Sequence, residues 1–222
     1  VVEMCRRENA FIQMPHPDTK ANDGLPYDCK NEPWFTDERW MGFGARMLPA
    51  DNSVDHMFAG RIERVWNDIN NWADKPRYVM SELDTYTKVN ENEEDWELYP
   101  MTNCTYVQLD HIPSSDHYDE LVDALRAGKH FYSTGEVLLE NSSIEDGKAS
   151  ATFSWTFPMA YAECVYSDGE NVHSIRIPMN NTKPYGRETV EFSFPKGMKW
   201  ARVFATDIAW NSAFGMPVFV GK

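Results

Sequence analysis

The hydrophobic pattern changes character near residue 140, and that change limits the fold more than any other feature of the chain. Before it, segments of helical period alternate with short apolar strands; after it, every apolar run has period two. Ala151, Phe153, Trp155 and Phe157 share one face, and Thr152, Ser154 and Thr156 the other, which is the alternation of a half-buried strand. Further runs at 162–166, 172–178, 189–194, 200–206 and 217–220 are separated by turn signals at Asp168-Gly169, Pro184-Tyr185-Gly186 and Pro195-Lys196-Gly197. Short strands at this spacing predict an antiparallel β-sandwich over 140–222.

The first 139 residues read differently. Residues 9–53 are rich in Pro, Gly, Asp and Asn and predict long loops around short strands, one of them at 10–14. Phe58, Ile62, Val65, Trp66, Ile69 and Trp72 recur at helical spacing, so 55–72 is expected to form an amphipathic helix. A second helix carries Tyr118, Leu121, Val122 and Leu125, capped by Ser114 or Ser115 and stopped at Gly128. Strands are expected at 78–84, 104–109 and 130–134. Alternating strands and helices of this kind predict an α/β domain over 1–139.

Charge narrows the partners. Lys and Arg number 21 against 35 Asp and Glu, a net charge of −14, and no Lys/Arg run offers the basic face that nucleic acid or an anionic membrane requires. No apolar stretch approaches the ~18 residues of a spanning helix. A small-molecule substrate is the expected partner. Four isolated cysteines make no CxxC pair; their spacing leaves one or two disulfides open, and buried free thiols are the expected state. The sequons at Asn103, Asn141 and Asn180 are weak glycosylation signals. The start without a leader and the Asn/Trp-rich composition set an extracytoplasmic compartment as the expectation.

Two stretches, taken together, carry a family resemblance. One runs from Arg6-Arg7-Glu8-Asn9-Ala10 through His16-Pro17-Asp18-Thr19-Lys20 to Met47-Leu48-Pro49-Ala50-Asp51 and Asn70-Asn71-Trp72. The other is Asp123-Ala124-Leu125-Arg126-Ala127-Gly128-Lys129-His130-Phe131-Tyr132-Ser133-Thr134-Gly135-Glu136, with Trp200-Ala201-Arg202 and Asp207-Ile208-Ala209 in the tail. The chain resembles the C-terminal portion of the PHP (polymerase and histidinol phosphatase) metallohydrolases, in their CehA/McbA-like branch. The resemblance implies a partial (β/α) PHP-type barrel at 1–139 followed by the β-sandwich at 140–222. It further implies divalent metal ions (zinc, manganese or iron) hydrolysing phosphoester, ester or carbamate bonds. The family's opening His-x-His strand has no counterpart here, and Met101 in Glu97-Leu98-Tyr99-Pro100-Met101 stands where an imidazole is expected. A non-catalytic relative serving in binding or assembly is therefore the alternative.

Candidate site residues follow from residue chemistry read beside that resemblance. His16, between two prolines after an apolar strand, is a metal ligand or acid/base group, or else a loop histidine bonded to a neighbour. Glu82 and Asp84 share one face at a strand end. Their mutual repulsion calls for a divalent ion or a Lys/Arg partner, unless the pair simply faces water. Glu97 is a third carboxylate able to converge there, and Glu136 a weaker one. Lys20 and Arg46 are candidate binders of an anionic substrate group, or else plain surface or salt-bridge residues. Trp34, Phe35, Trp40 and Phe43 form either a pocket wall or a core, while His111 and His117 are expected at the surface. A half-open barrel would also leave sheet edges exposed and favour self-association.

Overall fold

The computed structural model describes residues 1–8, 10–15, 27–45, 61–82, 86–90, 93–97 and 103–221. Three helices occur among them: α1 (Val2–Arg7), α2 (Arg61–Trp72) and α3 (Asp119–Arg126). Apart from one 3-10 turn at Tyr27–Cys29, the rest of the regular structure is β. Strands β1 (Ile12–Met14), β2 (Trp40–Ala45) and β3 (Tyr78–Ser81) form a parallel sheet in that order, with α2 in the connection from β2 to β3. Strands β4 (Tyr86–Asn90) and β5 (Glu93–Glu97) pair as an antiparallel hairpin.

Antiparallel pairing dominates from there on. Strands β6 (Cys104–Val107) and β7 (His130–Ser133) join β10 (Met159–Ser167), β11 (Val172–Pro178), β13 (Trp200–Asp207), β14 (Ser212–Gly215) and β15 (Val218–Phe219) in one large sheet. Its path is β11-β10-β13-β14-β7-β6, with β15 added on β13. Strands β8 (Val137–Glu145), β9 (Lys148–Trp155) and β12 (Gly186–Ser193) make a second sheet, ordered β12-β9-β8.

The partial (β/α) barrel expected for 1–139 is therefore not what the chain forms. After three parallel strands, β6 and β7 run antiparallel to each other, and β7 pairs with β14 from the far end of the sequence. The apolar pattern of 104–109 and 130–134 marked strands correctly but carried no information about their partners, because period two is common to parallel and antiparallel ladders. Sheet pairing now runs across the 139/140 boundary. The expected self-association rested on an open barrel half and loses that premise.

The centre of the large sheet is buried on both faces, whereas its edge strand β11 is largely exposed. All eight residues of β13 are buried, and the two-residue period divides them. Trp200 and Phe204 pack into one core with Trp40, Phe43, Trp66, Ile69, Tyr78, Tyr132 and Phe214. Ala201, Val203 and Ala205 face the other core, against Val137, Ala151, Phe153 and Trp155 of the smaller sheet. Small residues on that side let the two sheets approach as a sandwich, with the large rings reserved for the face under α2 and the parallel strands. Phe35, Trp40 and Phe43 are core residues, and Trp34 packs against them half-buried. Phe157, expected to continue the inward face of β9, lies beyond its end and is 43% exposed.

Polar ties fix α2 on the sheet. Arg202, 1% exposed, donates to Glu63 at 2.6 Å and to Asn67 at 3.1 Å, with its guanidinium 4.5 Å above the Trp66 ring. Asn71 accepts from Ser167 at 2.7 Å and from Trp200 Nε1 at 2.9 Å. Helix α3 begins at Asp119, later than the serines expected to cap it. It ends as expected: Gly128 has φ +68, its N–H bonds Leu125, and the N–H of Lys129 returns to Ala124, the αL stop that glycine permits.

Candidate functional site

In a parallel sheet all strands end at the same edge, and ligand sites of open α/β sheets form beyond that edge. Here the carboxyl edge is made by Gln13 and Met14 of β1, Gly44 and Ala45 of β2, and Ser81 and Glu82 at the end of β3. Register places Gly44 opposite Met80 and Ala45 opposite Ser81, and the amide of Glu82 extends the ladder to the Ala45 carbonyl at 3.0 Å.

Glycine at position 44 has a specific consequence. The Glu82 carboxylate and the Gln13 side-chain amide lie so close over it that a Cβ there would overlap both. The missing side chain is the seat of the Glu82 carboxylate. This edge is backed by a buried polar wall from the next strand. Asn103, 1% exposed, donates from Nδ2 to the Ala45 carbonyl at 3.3 Å and to the Ser81 hydroxyl at 3.2 Å. Ser81 in turn donates its amide to the Thr105 hydroxyl at 2.7 Å and its own hydroxyl to the Asn103 carbonyl at 3.1 Å. The Tyr132 phenol sits fully buried beside this wall, and burial raises its pKa far above the ordinary tyrosine value, with Asn103 opposing that rise. It is neutral at all physiological pH values and serves as a hydrogen-bonding group.

Of the six residues expected to hold the metal and the substrate, Glu82 is the one the structure describes in full. His16, Lys20, Arg46 and Asp84 lie outside the described residues. Glu97 is described as part of β5 without its side chain. Glu136 is half-buried in the turn between β7 and β8, which forms as expected with Gly135 at φ +109 and its amide on the Ser133 hydroxyl. His111 and His117 are exposed. Among the described residues, no group of three or more His, Cys, Asp or Glu side chains is placed to hold a metal ion. What the edge offers is one carboxylate, the hard donor type that divalent cations accept, beside the side-chain nitrogen of Gln13.

Gln13, Gly44, Asn103 and Tyr132 escaped the sequence reading. Asn103 carried a signal that pointed elsewhere, the sequon Asn103-Cys104-Thr105, yet its burial leaves no room for a glycan on the folded chain. Gly44 belongs to a Gly-Phe-Gly run whose function shows only once Glu82 is folded over it.

All four cysteines are free, Cys164 buried and Cys5, Cys29 and Cys104 half-buried. Among the described residues no helix is long and apolar enough to cross a membrane. No protein-family model matches the chain, and neither does any curated protein.

Proposed function

We propose that the chain acts as a metal-dependent hydrolase of the PHP type, on phosphoester, ester or carbamate bonds, from the carboxyl edge of β1, β2 and β3. The observation that supports this is the seating of the Glu82 carboxylate over Gly44, beside Gln13 and in front of the Asn103 wall. A barrel is not required; the carboxyl edge of a parallel sheet is enough.

The sequence adds the remaining groups. His16 comes two residues after β1, Arg46 directly after β2, and Asp84 two residues after Glu82. In this reading Glu82, His16, Asp84 and Glu97 hold the ion, while Arg46 and Lys20 bind the anionic part of the substrate. When bound, a divalent ion of the zinc, manganese or iron class supplies a water of lowered pKa and a Lewis acid for the scissile group. Gln13 and Asn103 orient Glu82 and its backbone, and the neutral Tyr132 keeps the wall behind them closed.

The test compares the native chain with Glu82→Gln and Gly44→Ala. Metal analysis and titration with Zn²⁺ and Mn²⁺ are expected to give stoichiometric binding for the native chain. Affinity should drop roughly tenfold or more in each variant, with circular dichroism unchanged, and turnover of aryl phosphate and aryl carbamate probes should fall in parallel. A native chain that binds neither ion and hydrolyses neither probe would overturn the proposal and leave the non-catalytic binding module.

A further inference from the structure

The small sheet stops short of one end of the large sheet. Its strand β8 packs on β14 and β13, while the large sheet runs on through β7 to β6. Register sets what stands on the face next to β8. Gly215 of β14 pairs with Phe131 of β7, and Phe131 with Tyr106 of β6, and residues paired in this way share one face. A Cβ on Gly215 would come within 3.0 Å of Leu139 Cδ2. Leu139 of β8 therefore rests on the glycine, and beyond it the row of rings begins.

Between the edge of β8 and that row lies a groove of about 330 Å³, whose lining includes Tyr106, Gln108, Lys129, Phe131, Leu139 and Ser142. Its floor is aromatic. The Tyr106 and Phe131 rings stack with planes 5° apart and centroids 5.0 Å apart, and Tyr106 is 36% exposed. Its rim is polar. The Gln108 amide bonds the Lys129 carbonyl at 2.8 Å and so extends the ladder past β6, and the two-residue period brings both side chains to the face of the rings. On the other side, a bulge shifts the register of β8, leaving Leu139 opposite Phe153 and Ser142 opposite Ala151. Phe153 and Ala151 belong to the sandwich core, so Ser142 also points toward the large sheet, yet it is exposed because it faces the groove. Among the described residues, no hydrogen bond or ion pair commits the side chains of Gln108, Lys129 or Ser142. Glu140, the bulged residue, bonds Arg187 at 2.6 Å.

We infer that this groove is a sugar-binding site, in which one ring of a neutral oligosaccharide lies with its C–H face on the Tyr106–Phe131 stack and its hydroxyls on Gln108, Lys129 and Ser142. A sugar ring is apolar on its face and carries hydroxyls that both donate and accept. The groove is built the same way, since aromatic rings supply flat apolar area and Gln108 and Ser142 each hold a donor and an acceptor. A purely apolar ligand would strip water from those two side chains and give them no partner. An ionic ligand is matched less well, because Lys129 is the one uncommitted charge in the lining. The volume lies at the lower end of the range for small-molecule sites. None of these residues belongs to the carboxyl edge of β1, β2 and β3, so this site and the proposed hydrolytic one stand or fall separately.

Calorimetric titration of the whole chain with cellohexaose, xylohexaose and maltohexaose tests the inference. Saturable binding of at least one is expected, weakened roughly tenfold by Tyr106→Ala and about fivefold by Gln108→Ala. Tyr185→Ala, which removes an aromatic ring 85% exposed outside the groove, should leave binding unchanged. Gln108 is exposed, so its replacement keeps the fold and carries the test even if Tyr106→Ala does not fold. Electrophoresis through gels containing the matching soluble polysaccharide separates two sources of the sugar. Retardation means that the groove takes the interior of a long chain, and binding of the hexasaccharide without retardation means short sugars or chain ends. Heats of dilution alone with all three sugars, or binding undiminished in the Tyr106 and Gln108 variants, would overturn the inference.

Discussion

His130 opens β7 with 5% of its surface exposed, and its ring meets Tyr78 edge-on at 5.4 Å. Burial strips water from both ring nitrogens, and neither makes a hydrogen bond of good geometry. A backbone contact at Val79 compensates only in part, so the imidazole titrates at about 4 instead of 6.5. Because the folded pKa lies below the unfolded one, the neutral ring's contribution to stability is complete above pH 6.5 and is lost as pH falls through 4. At 1.36 kcal/mol per pH unit, the interval from 6.5 to about 4 amounts to roughly 3 kcal/mol, a large part of the stability of a typical domain. The perturbation is His130→Phe, which keeps a ring against Tyr78 and removes the proton site. Urea denaturation of both proteins, from above pH 7 down to about 4, gives the difference in stability at each pH. Any packing cost of the larger ring is a constant offset, and carboxylate titrations are common to both proteins. The native chain is expected to lose roughly 3 kcal/mol more than the variant across the interval. Stability curves that stay parallel would refute the argument, since the imidazole would then titrate alike in the folded and unfolded chains.

Other outcomes follow from single contacts. Glu63→Gln leaves the Arg202 guanidinium charged and enclosed between α2 and β13, and is expected to cost about 3 kcal/mol in chemical denaturation. Arg202→Met, which removes the charge, should cost less. Gly42→Ala puts a Cβ onto the backbone of Tyr78 at φ +140, so a loss of at least ~2 kcal/mol is expected; an unchanged melting temperature would contradict it. Burial pushes the Cys164 thiol up to about 12. Iodoacetamide near pH 8 should therefore label this residue only after denaturant is added, as read by peptide mass mapping.

Much of the fold was legible because periodicity reports which face of an element is buried. The apolar positions of α2 were readable in advance, with Val65, Trp66 and Ile69 inward. So were the inward face of β9, the core role of Phe35, Trp40 and Phe43, and the glycine stop at Gly128. Strand positions at 78–81, 104–107 and 130–133 were readable as well. The candidate site was legible only through Glu82, a carboxylate at a strand end. Gln13 and Asn103 are ordinary amides in the sequence, and nothing local shows that they meet Glu82 and Ala45 across three strands.

Local sequence thus determined the positions of most strands and helices, their buried faces and their stops, since these depend on residues within one turn or one pleat of each other. Tertiary structure decided that β7 pairs with β14 and not within a barrel, that Gly44 seats a carboxylate, and that Tyr106 stacks on Phe131. Those outcomes join residues tens of positions apart. A ladder has the same two-residue period whichever strand lies beside it, so the choice of neighbour is made by the packing of the whole chain.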